Sequence, residues 1–253
     1  MKTMSKGIFI TGTDTGVGKT IVSAAIIRAL IKKGVKAGAM KPVETGCTPE
    51  LRVKSRELRA KKLIPSDGMF LKDMAEMDDS IDLITPVRFE HPLAPMVASE
   101  LEKRTIEIKK IINAYKRLSS KYEFMVVEGV GGLLVPISKR QGPKGKRQEA
   151  YFVSDLIKDL KLPIIVVARP TLGTINHTLL TVNQSLKEGL NVLGVIINCH
   201  MPPTGDIAEK TNPEVLKELC PVPIIGMLPY IKDITKKNIE NTAIKHLEVT
   251  GLL

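Results

Sequence analysis

Six short runs, most of them almost continuously apolar, recur along the chain, and this alternation constrains its fold more than any other feature. Such runs between turn signals are typical of strands that are covered on both faces of a parallel sheet. The six predicted strands are residues 7–11, 36–41, 124–129, 163–168, 192–198 and 223–229. Between them the periodicity predicts helices near residues 19–33, 98–118, 153–160, 175–188, 213–219 and 237–247. The alternation predicts a doubly wound α/β fold, with a mostly parallel sheet flanked by helices.

Two stretches interrupt this alternation without dividing the chain. Residues 47–95 are rich in charged residues, Pro and Met. We expect this segment to form an insertion outside the strand–helix alternation, with one or two helices. Residues 138–150 are strongly basic and contain two glycines and a proline, which is typical of a mobile surface loop. No internal repeat or linker-like composition occurs. The sequence therefore predicts a single domain over residues 1–253.

The net charge and composition limit the classes of partner. A formal charge of +11 raises nucleic acid and anionic membranes as candidates, but the lysines are mixed with acids, and the chain has no Trp and few Phe or Tyr to stack on bases. No window approaches the roughly 18 apolar residues of a membrane helix. Cys47, Cys199 and Cys220 form no C-x-x-C pair, which disfavours a zinc site or a disulfide framework. We expect a soluble cytoplasmic protein that binds neither nucleic acid nor membrane.

The stretch GTDTGVGKT, residues 12–20, has the setting of a phosphate-binding loop, because it lies between the first predicted strand and the first predicted helix. The strict pattern G-x-x-x-x-G-K-[ST] requires glycine where Thr13 stands. We interpret the difference as a longer or differently folded loop that can present Thr13, Thr15 or peptide N–H groups to a substrate beside the terminal phosphate. A strand-to-helix turn that merely contains Gly-Lys-Thr is the alternative, and the incomplete G-x-G-x-x-G spacing disfavours a dinucleotide site.

The loop supplies the residue types that nucleotide phosphates and their metal need. Gly16 and Gly18 allow the backbone to approach phosphate oxygens. Lys19 can reach the β- and γ-phosphates, and Thr20 can offer its hydroxyl to Mg²⁺. The sequence NCHM at 198–201 lacks the N-K-x-D pattern of guanine recognition, so ATP is the expected nucleotide.

Charged residues follow two other predicted strands, and the ends of parallel strands meet at one edge of a sheet. Lys41 follows the second strand and could neutralise a transferring phosphoryl group, although a solvated lysine is the alternative. Glu128 ends the third strand and is a candidate Mg²⁺ ligand, with a helix cap or a solvated acid as the alternative. Asp67 lies in Ser-Asp-Gly, which on local grounds favours an ordinary turn. Residues 168–177 offer a second anion site at a helix N-terminus.

The combination of motifs resembles the dethiobiotin synthetase family over nearly the whole chain. The motifs that carry the resemblance, in the family's order, are GTDTGVGKT, KPVETG, SDG, HPLAP, VVEGVGGLLVP, LGTINHTLLT, GVIIN and GMLP. The resemblance implies a reaction in which CO₂ adds to an amine of 7,8-diaminononanoate, ATP phosphorylates the carbamate, and the neighbouring amine closes a cyclic urea. It also implies ATP and Mg²⁺ as cofactors and a homodimer as the active form.

The resemblance assigns roles to residues by their position in the motifs. Lys19 and Lys41 would be the catalytic lysines, and Thr20, Asp67 and Glu128 would hold Mg²⁺. The nucleotide would contact Gly16, Val17, Gly18, Lys19, Thr20, Ile21, Asp67, Glu128, Gly129, Val130, Gly131, Asn198, Pro229, Tyr230 and Ile231. The diamine substrate, with its carboxylate bound across the dimer interface, would contact Thr15, Thr45, Gly173, Thr174, Ile175 and Asn176.

The chain departs from the family's pattern at several places, and two other classes of protein share parts of its pattern. Met96 stands where the family commonly has histidine, and the basic loop 138–150 is longer than the family's. Partition-type ATPases share the fold plan but carry a second lysine near Thr13 or Asp14, which this chain lacks. Amide-forming enzymes of corrinoid precursors carry a further glutamine-hydrolysing domain, for which 253 residues leave no room. The resemblance therefore favours the carboxylase.

Overall fold

A parallel sheet runs through the centre of the molecule. The computed structural model describes residues 6–50, 62–139, 149–249 and 251. The strands are β1 Lys6–Gly12, β2 Ala37–Met40, β3 Val43–Glu44, β4 Thr48–Pro49, β5 Leu63–Ile64, β6 Val87–Arg88, β7 Phe124–Gly132, β8 Pro136–Lys139, β9 Ala150–Phe152, β10 Ile164–Ala168, β11 Val192–Asn198 and β12 Ile224–Leu228. Six of them form the central sheet in the order β12-β11-β10-β1-β7-β2, with each neighbouring pair parallel. These are the six predicted strands.

Helices cover both faces of this sheet. They are α1 Lys19–Lys32, α2 Ser66–Met74, α3 Ile81–Ile84, α4 Pro95–Leu101, α5 Ile108–Ser119, α6 Val153–Leu160, α7 Thr174–Lys187, α8 Ile207–Leu219 and α9 Lys236–His246. Successive residues of a strand point to opposite faces, and in β2 and β10 every residue is buried. Neither face of these strands is therefore open to solvent, and the predicted doubly wound α/β fold is confirmed.

The centre of the sheet positions the chemistry. In the pairing of β1 with β7, Phe9 lies opposite Val127 and Ile10 lies opposite Glu128. All of these side chains are essentially buried, Glu128 included. The pairing places Glu128 at the level where β1 ends and the phosphate loop begins, so an acid from one strand adjoins the loop that follows its neighbour.

Three predicted boundaries were wrong. The predicted helix 98–118 is two helices, α4 and α5, because Lys103 takes a left-handed conformation (φ 51°) just after the first of them ends. The helix predicted at 213–219 begins earlier, at Ile207, because the Asp206 side chain accepts a hydrogen bond from Ala208 N (3.1 Å) and caps it. The third strand continues to Gly132, since a register shift between Ile10 and Gly12 lets β7 keep pairing with β1.

The two interrupting stretches are only partly described by the structure. Residues 47–95 contain α2 and α3 together with short strands, as expected, although residues 51–61 lie outside the described part of the chain. Most of the predicted basic loop 138–150, namely residues 140–148, also lies outside it. Among the residues that the structure describes, no helix combines the length and the apolar character that crossing a membrane requires.

Candidate active site

The phosphate loop connects β1 to α1 and is held by the end of β11. Gly16 and Gly18 have φ angles of 78° and 85°, a left-handed conformation that other residues rarely adopt. A Cβ atom on Gly18 would lie 2.0 Å from Asn198 Nδ2, so this loop packs directly on the Asn198 side chain. Asn198 Nδ2 also donates a hydrogen bond to the Val17 carbonyl at 3.0 Å. The loop conformation thus depends on glycine at position 18.

The loop and the start of α1 form a ready site for an anion. The first turn of α1 has no side-chain cap and no acidic residue, so its N–H groups and its dipole can act on a bound phosphate. Lys19 Nζ donates to the Asp14 carbonyl within the loop at 3.0 Å. Thr13, the departure from the strict pattern, donates its backbone N–H to the Val167 carbonyl at 2.9 Å. This hydrogen bond connects the backbone of the loop at Thr13 to β10.

Side chains from separate segments meet beside the loop. Lys41 Nζ donates to Glu128 Oε1 at 2.5 Å and to Asp67 Oδ2 at 2.9 Å. Thr20 Oγ1 donates to the same oxygen of Glu128 at 2.9 Å. Lys41 directly follows β2, Glu128 belongs to β7, and Asp67 lies in the first turn of α2. The strand ends therefore converge as the sequence predicts, and Asp67 is part of a helix rather than of an isolated turn.

The two lysines of this cluster differ in their electrostatic surroundings. Burial by itself would lower the pKa of Lys41, but the adjacent Glu128 and Asp67 carboxylates outweigh it and raise that pKa above its ordinary value. Burial, followed by repulsion from Lys41, lowers the pKa of Lys19 to about 8. Lys41 is thus a permanent cation, whereas Lys19 carries a charge that an incoming anion would stabilise.

The cluster and the loop line one cleft of about 290 Å³. The predicted site residues among its lining are Thr15, Gly16, Gly18, Lys19, Thr20, Lys41, Thr45, Asp67, Glu128, Val130 and Gly131. Gly129 contributes its carbonyl oxygen, which lies 3.4 Å from Lys41 Nζ. Residues predicted to contact phosphate, metal and diamine are therefore brought to one place from four parts of the chain.

The donor set of the cleft fits a magnesium ion that also binds phosphate. Glu128 Oε2 is buried and has no hydrogen-bond partner in the described part of the chain, so one carboxylate oxygen is left for a cation. Thr20 and Asp67 add a hydroxyl and a carboxylate. The described residues contain no cluster of three or more His, Cys, Asp or Glu arranged to hold a metal unaided. This agrees with magnesium, which is usually bound by one or two carboxylates, water and substrate phosphates.

Glu44 also lines the cleft, and sequence reasoning did not single it out. It is the residue before Thr45 in the KPVETG motif. Its carboxylate accepts hydrogen bonds from the backbone N–H groups of Asp67 and Gly68, each at 2.9 Å. Burial raises the pKa of Glu44, and these two hydrogen bonds offset only part of that rise. The signal that could have identified it is an acidic residue beside Thr45 in the KPVETG motif, shortly after the second predicted strand.

A second, mainly apolar cavity of about 310 Å³ lies beside the end of β11. Pro229 and Tyr230 line it together with Cys199 and His200, which directly follow β11. Three of the residues predicted to contact nucleotide pack into or against the hydrophobic core instead of lining either cavity: Val17, Ile21 and Ile231. Of these, Val17 reaches the loop through its carbonyl, which accepts the hydrogen bond from Asn198. Asn198 lines neither cavity, and its contact with the nucleotide, like that of Pro229, Tyr230 and Ile231, stays a prediction.

The predicted carboxylate-binding segment lies at the start of α7. Gly173 is the N-cap and has a φ of 88°, while Thr174, Ile175 and Asn176 form the first turn. The described lining of the phosphate cleft does not include these residues in the same chain. Met96, in α4, does not line that cleft either. A contribution from residues 173–176 to the cleft of a second chain stays a prediction.

The loop, the lysine and threonine that open α1, and the acid on the adjacent strand define a nucleotide-binding protein of the phosphate-loop class. A family profile described as an AAA domain matches residues 6–238. Among solved structures, the MinD cell division protein of Aquifex aeolicus superposes with a TM-score of 0.51 at 16% identity, covering 95% of this chain and 96% of that one. This likeness shows the fold alone.

Curated sequences narrow the class to a family. The ATP-dependent dethiobiotin synthetase BioD of Thermodesulfovibrio yellowstonii is 53% identical over 99% of both chains. The proteins of that name from Methanocaldococcus jannaschii and Bacillus licheniformis are 42% and 38% identical, over 89% and 98% of this chain and 95% and 96% of theirs. The chain therefore belongs to the ATP-dependent dethiobiotin synthetase family.

Proposed function

We propose that this protein carboxylates 7,8-diaminononanoate with CO₂ and closes the product to dethiobiotin, using ATP and releasing ADP and phosphate. The observation that carries the proposal is the single cleft in which Lys19, Lys41, Glu128 and Thr45 meet, in a chain of this family. A phosphate loop alone would suit any ATPase. The additional lysine and the threonine beside it suit an anionic acceptor next to the terminal phosphate.

The chemistry proceeds in three balanced stages. One amine attacks CO₂, a C–N bond forms and a proton is lost, which leaves a carbamate. A carbamate oxygen then attacks the γ-phosphorus of ATP, whose bond to the bridging oxygen breaks to release ADP. The second amine attacks the carbonyl carbon and loses a proton, and the C–O bond to the phosphoryl group breaks, so phosphate leaves and the urea ring closes. Phosphorylation is needed because an unmodified carbamate is a poor electrophile.

The protein's main contribution is to hold anions together and to balance their charge. Lys19 binds the terminal phosphates at the start of α1. Lys41 keeps its proton because two carboxylates raise its pKa, so it stabilises the carbamate and the transferring group by charge rather than by proton transfer. Thr15 and Thr45 orient the diamine from the lining of the cleft.

Magnesium is the metal that we assign to this site. Thr20, Asp67 and Glu128 would hold it, and the free oxygen of Glu128 is the support for this assignment. When bound, the ion supplies positive charge to the phosphate oxygens during transfer. The remaining ligands would be phosphate oxygens and water.

We further propose that residues 1–253 form one catalytic domain that acts as a homodimer. The support is the position of Gly173–Asn176, which do not line the phosphate cleft of their own chain and which begin a helix whose first turn is suited to a carboxylate. In a dimer each helix start would serve the cleft of the other subunit. Neither nucleic acid nor membrane is part of the proposed reaction.

The test is direct synthesis. The protein is incubated with 7,8-diaminononanoate, bicarbonate and MgATP, and mass spectrometry follows the cyclic urea while phosphate release is measured. We expect one phosphate per urea and no sustained ATP hydrolysis when the diamine is omitted. A rate of ATP hydrolysis that does not depend on the diamine but rises with added DNA would instead identify a partition-type ATPase and refute the proposal.

A further inference from the structure

Glu44 is a buried carboxylate whose two oxygens both bind the first turn of a single helix. Its Oε1 accepts from Asp67 N at 2.9 Å and from Ser66 Oγ at 3.2 Å, and its Oε2 accepts from Gly68 N at 2.9 Å. The residue is 4% exposed and ends β3, which pairs with β6. The end of β3, in a small two-stranded sheet, thus holds the start of α2 through three hydrogen bonds.

The helix that Glu44 holds has no cap of its own. The N-cap position of α2 is Pro65, whose side chain makes no capping hydrogen bond. Free N–H groups at a helix start are normally satisfied by a local Ser, Thr, Asp or Asn, and negative charge there is favourable. In this chain a residue more than 20 positions earlier supplies both the acceptor oxygens and the charge.

The same turn is also confined from another side. A Cβ atom on Gly68 would lie only 2.0 Å from Thr85 Oγ1, so the turn approaches Thr85 as closely as glycine permits. Glu44 and Thr85 together leave the first turn of α2 little freedom to shift. This rigidity concerns the site because the turn carries Asp67, whose Oδ2 lies 2.9 Å from Lys41 Nζ.

We propose that Glu44 is a positioning residue for the reaction, which fixes the first turn of α2 so that the Asp67 carboxylate stays directed at Lys41 and at the metal-bound phosphates. The Asp67 side chain is 39% exposed, so its own packing does not hold it in place. A local cap at position 65 would stabilise the helix without burying a charge, whereas a carboxylate that lines the cleft couples the helix to the site itself. The inference rests on the proposed function for the role of Asp67.

The test compares two variants that lose the same type of contact. Glu44→Gln removes a carboxylate that accepts from two backbone N–H groups. Glu102→Gln is the matched control, because Glu102 accepts from the backbone N–H groups of Glu90 and His91 at 2.8 and 3.1 Å but does not line the cleft. Thermal unfolding reports the structural loss in each variant. Calorimetric titration with ADP, with and without Mg²⁺, reports the site without requiring turnover or the diamine.

We expect comparable losses of thermal stability in both variants but a defect at the site only in Glu44→Gln. In that variant the strengthening of ADP binding by Mg²⁺ should fall by about tenfold, the usual scale for a residue that orients a metal ligand. Its kcat should fall while the KM for ATP measured at saturating Mg²⁺ changes little. If Mg²⁺ strengthens ADP binding equally in the two variants, Glu44 is only a helix cap and the proposal is wrong.

A double variant tests whether Glu44 acts through Asp67. If it does, adding Glu44→Gln to Asp67→Asn should cause no further loss in Mg²⁺-dependent ADP binding, whereas independent roles would give additive losses. Should Glu44→Gln fail to fold, Glu44→Asp is the milder variant, because it keeps the charge and withdraws it by one methylene group. Wild-type Mg²⁺ dependence in folded Glu44→Asp and additive losses in the double variant would each overturn the proposal. Absence of urea synthesis by the wild type would refute the proposed reaction without affecting these binding measurements.

Discussion

Replacing Lys19 by Met should make the nucleotide-free protein more stable while it abolishes tight nucleotide binding. Lys19 is 6% exposed, and burial and repulsion from Lys41 lower its pKa from 10.5 to about 8. At neutral pH the folded protein therefore keeps a proton on a group that its surroundings disfavour. Met has a similar length and no charge. The variant therefore removes the free-energy cost of the buried ammonium group together with the cation that binds phosphate.

The size of the effect follows from the pKa shift. A fall from 10.5 to about 8 corresponds to a folded state destabilised by about 3 kcal/mol at neutral pH. The variant also loses the hydrogen bond from Lys19 Nζ to the Asp14 carbonyl, which contributes about 1 kcal/mol. The net expectation is that Lys19→Met raises the free energy of unfolding by about 2 kcal/mol near pH 7.

The pH dependence of the difference has a definite sign. Because the folded pKa of Lys19 lies below its unfolded value, the unfolded chain binds more protons between about pH 8 and 10.5, and wild-type stability rises with pH through this window. At about pH 9.5 the unfavourable term has shrunk to about 1 kcal/mol. The advantage of the variant over the wild type should therefore nearly vanish there.

Urea unfolding followed by far-ultraviolet circular dichroism, without nucleotide or metal, measures both free energies. Lys109→Met, which changes an exposed lysine of α5, serves as the control and should follow the wild-type pH profile. Calorimetry with MgADP should show binding to the control but not to Lys19→Met. The reasoning is refuted if Lys19→Met is less stable than the wild type near pH 7 and the gap between them does not change with pH.

Three further variants test other contacts of the cleft. Lys41→Ala should lower turnover per folded enzyme by about 100-fold or more, as loss of a charge partner in the transition state does, while calorimetry still detects ATP binding; near-normal turnover would show that Lys41 is misassigned. Thr20→Val should weaken ADP binding in the presence of Mg²⁺ and leave metal-free binding almost unchanged, and an unaltered Mg²⁺ titration would remove Thr20 from the proposed ligands. Gly18→Ala should weaken binding with or without Mg²⁺, because its φ of 85° and the 2.0 Å approach of Asn198 Nδ2 leave no room for a methyl group; wild-type ADP affinity would contradict this.

The strands could be predicted because burial determines the residue types within each strand itself. A strand buried on both faces must be apolar at successive positions, and most of the six sheet strands show this in their own sequence. The convergence of Lys41 and Glu128 follows from the same pattern, since parallel strands end at one edge. The helix boundaries were less predictable. The break after α4 depends on one lysine in a left-handed conformation, which its residue type does not indicate.

The surroundings of Asp67 show why a local interpretation of sequence fails at this site. Ser-Asp-Gly after proline favours a turn when considered alone. The segment is the first turn of a helix because its N–H groups bond to Glu44, which is remote in sequence. Nothing near Asp67 indicates that partner. The family resemblance selected Asp67 by position, but the physical cause of its placement required the tertiary structure.

The charge balance of the cleft explains why the nucleotide and its metal should bind together. The cleft is lined by three acidic side chains and two lysines, namely Glu44, Asp67, Glu128, Lys19 and Lys41. The lowered pKa of Lys19 further reduces the positive charge that these side chains carry. A free polyphosphate would therefore enter a cleft whose side chains carry a slight negative excess, opposed mainly by the N–H groups of α1. A divalent cation reverses that excess and satisfies the free oxygen of Glu128. ADP affinity should consequently fall sharply when EDTA replaces Mg²⁺ in a calorimetric titration, and equal affinities would show that the three carboxylates are neutralised in another way.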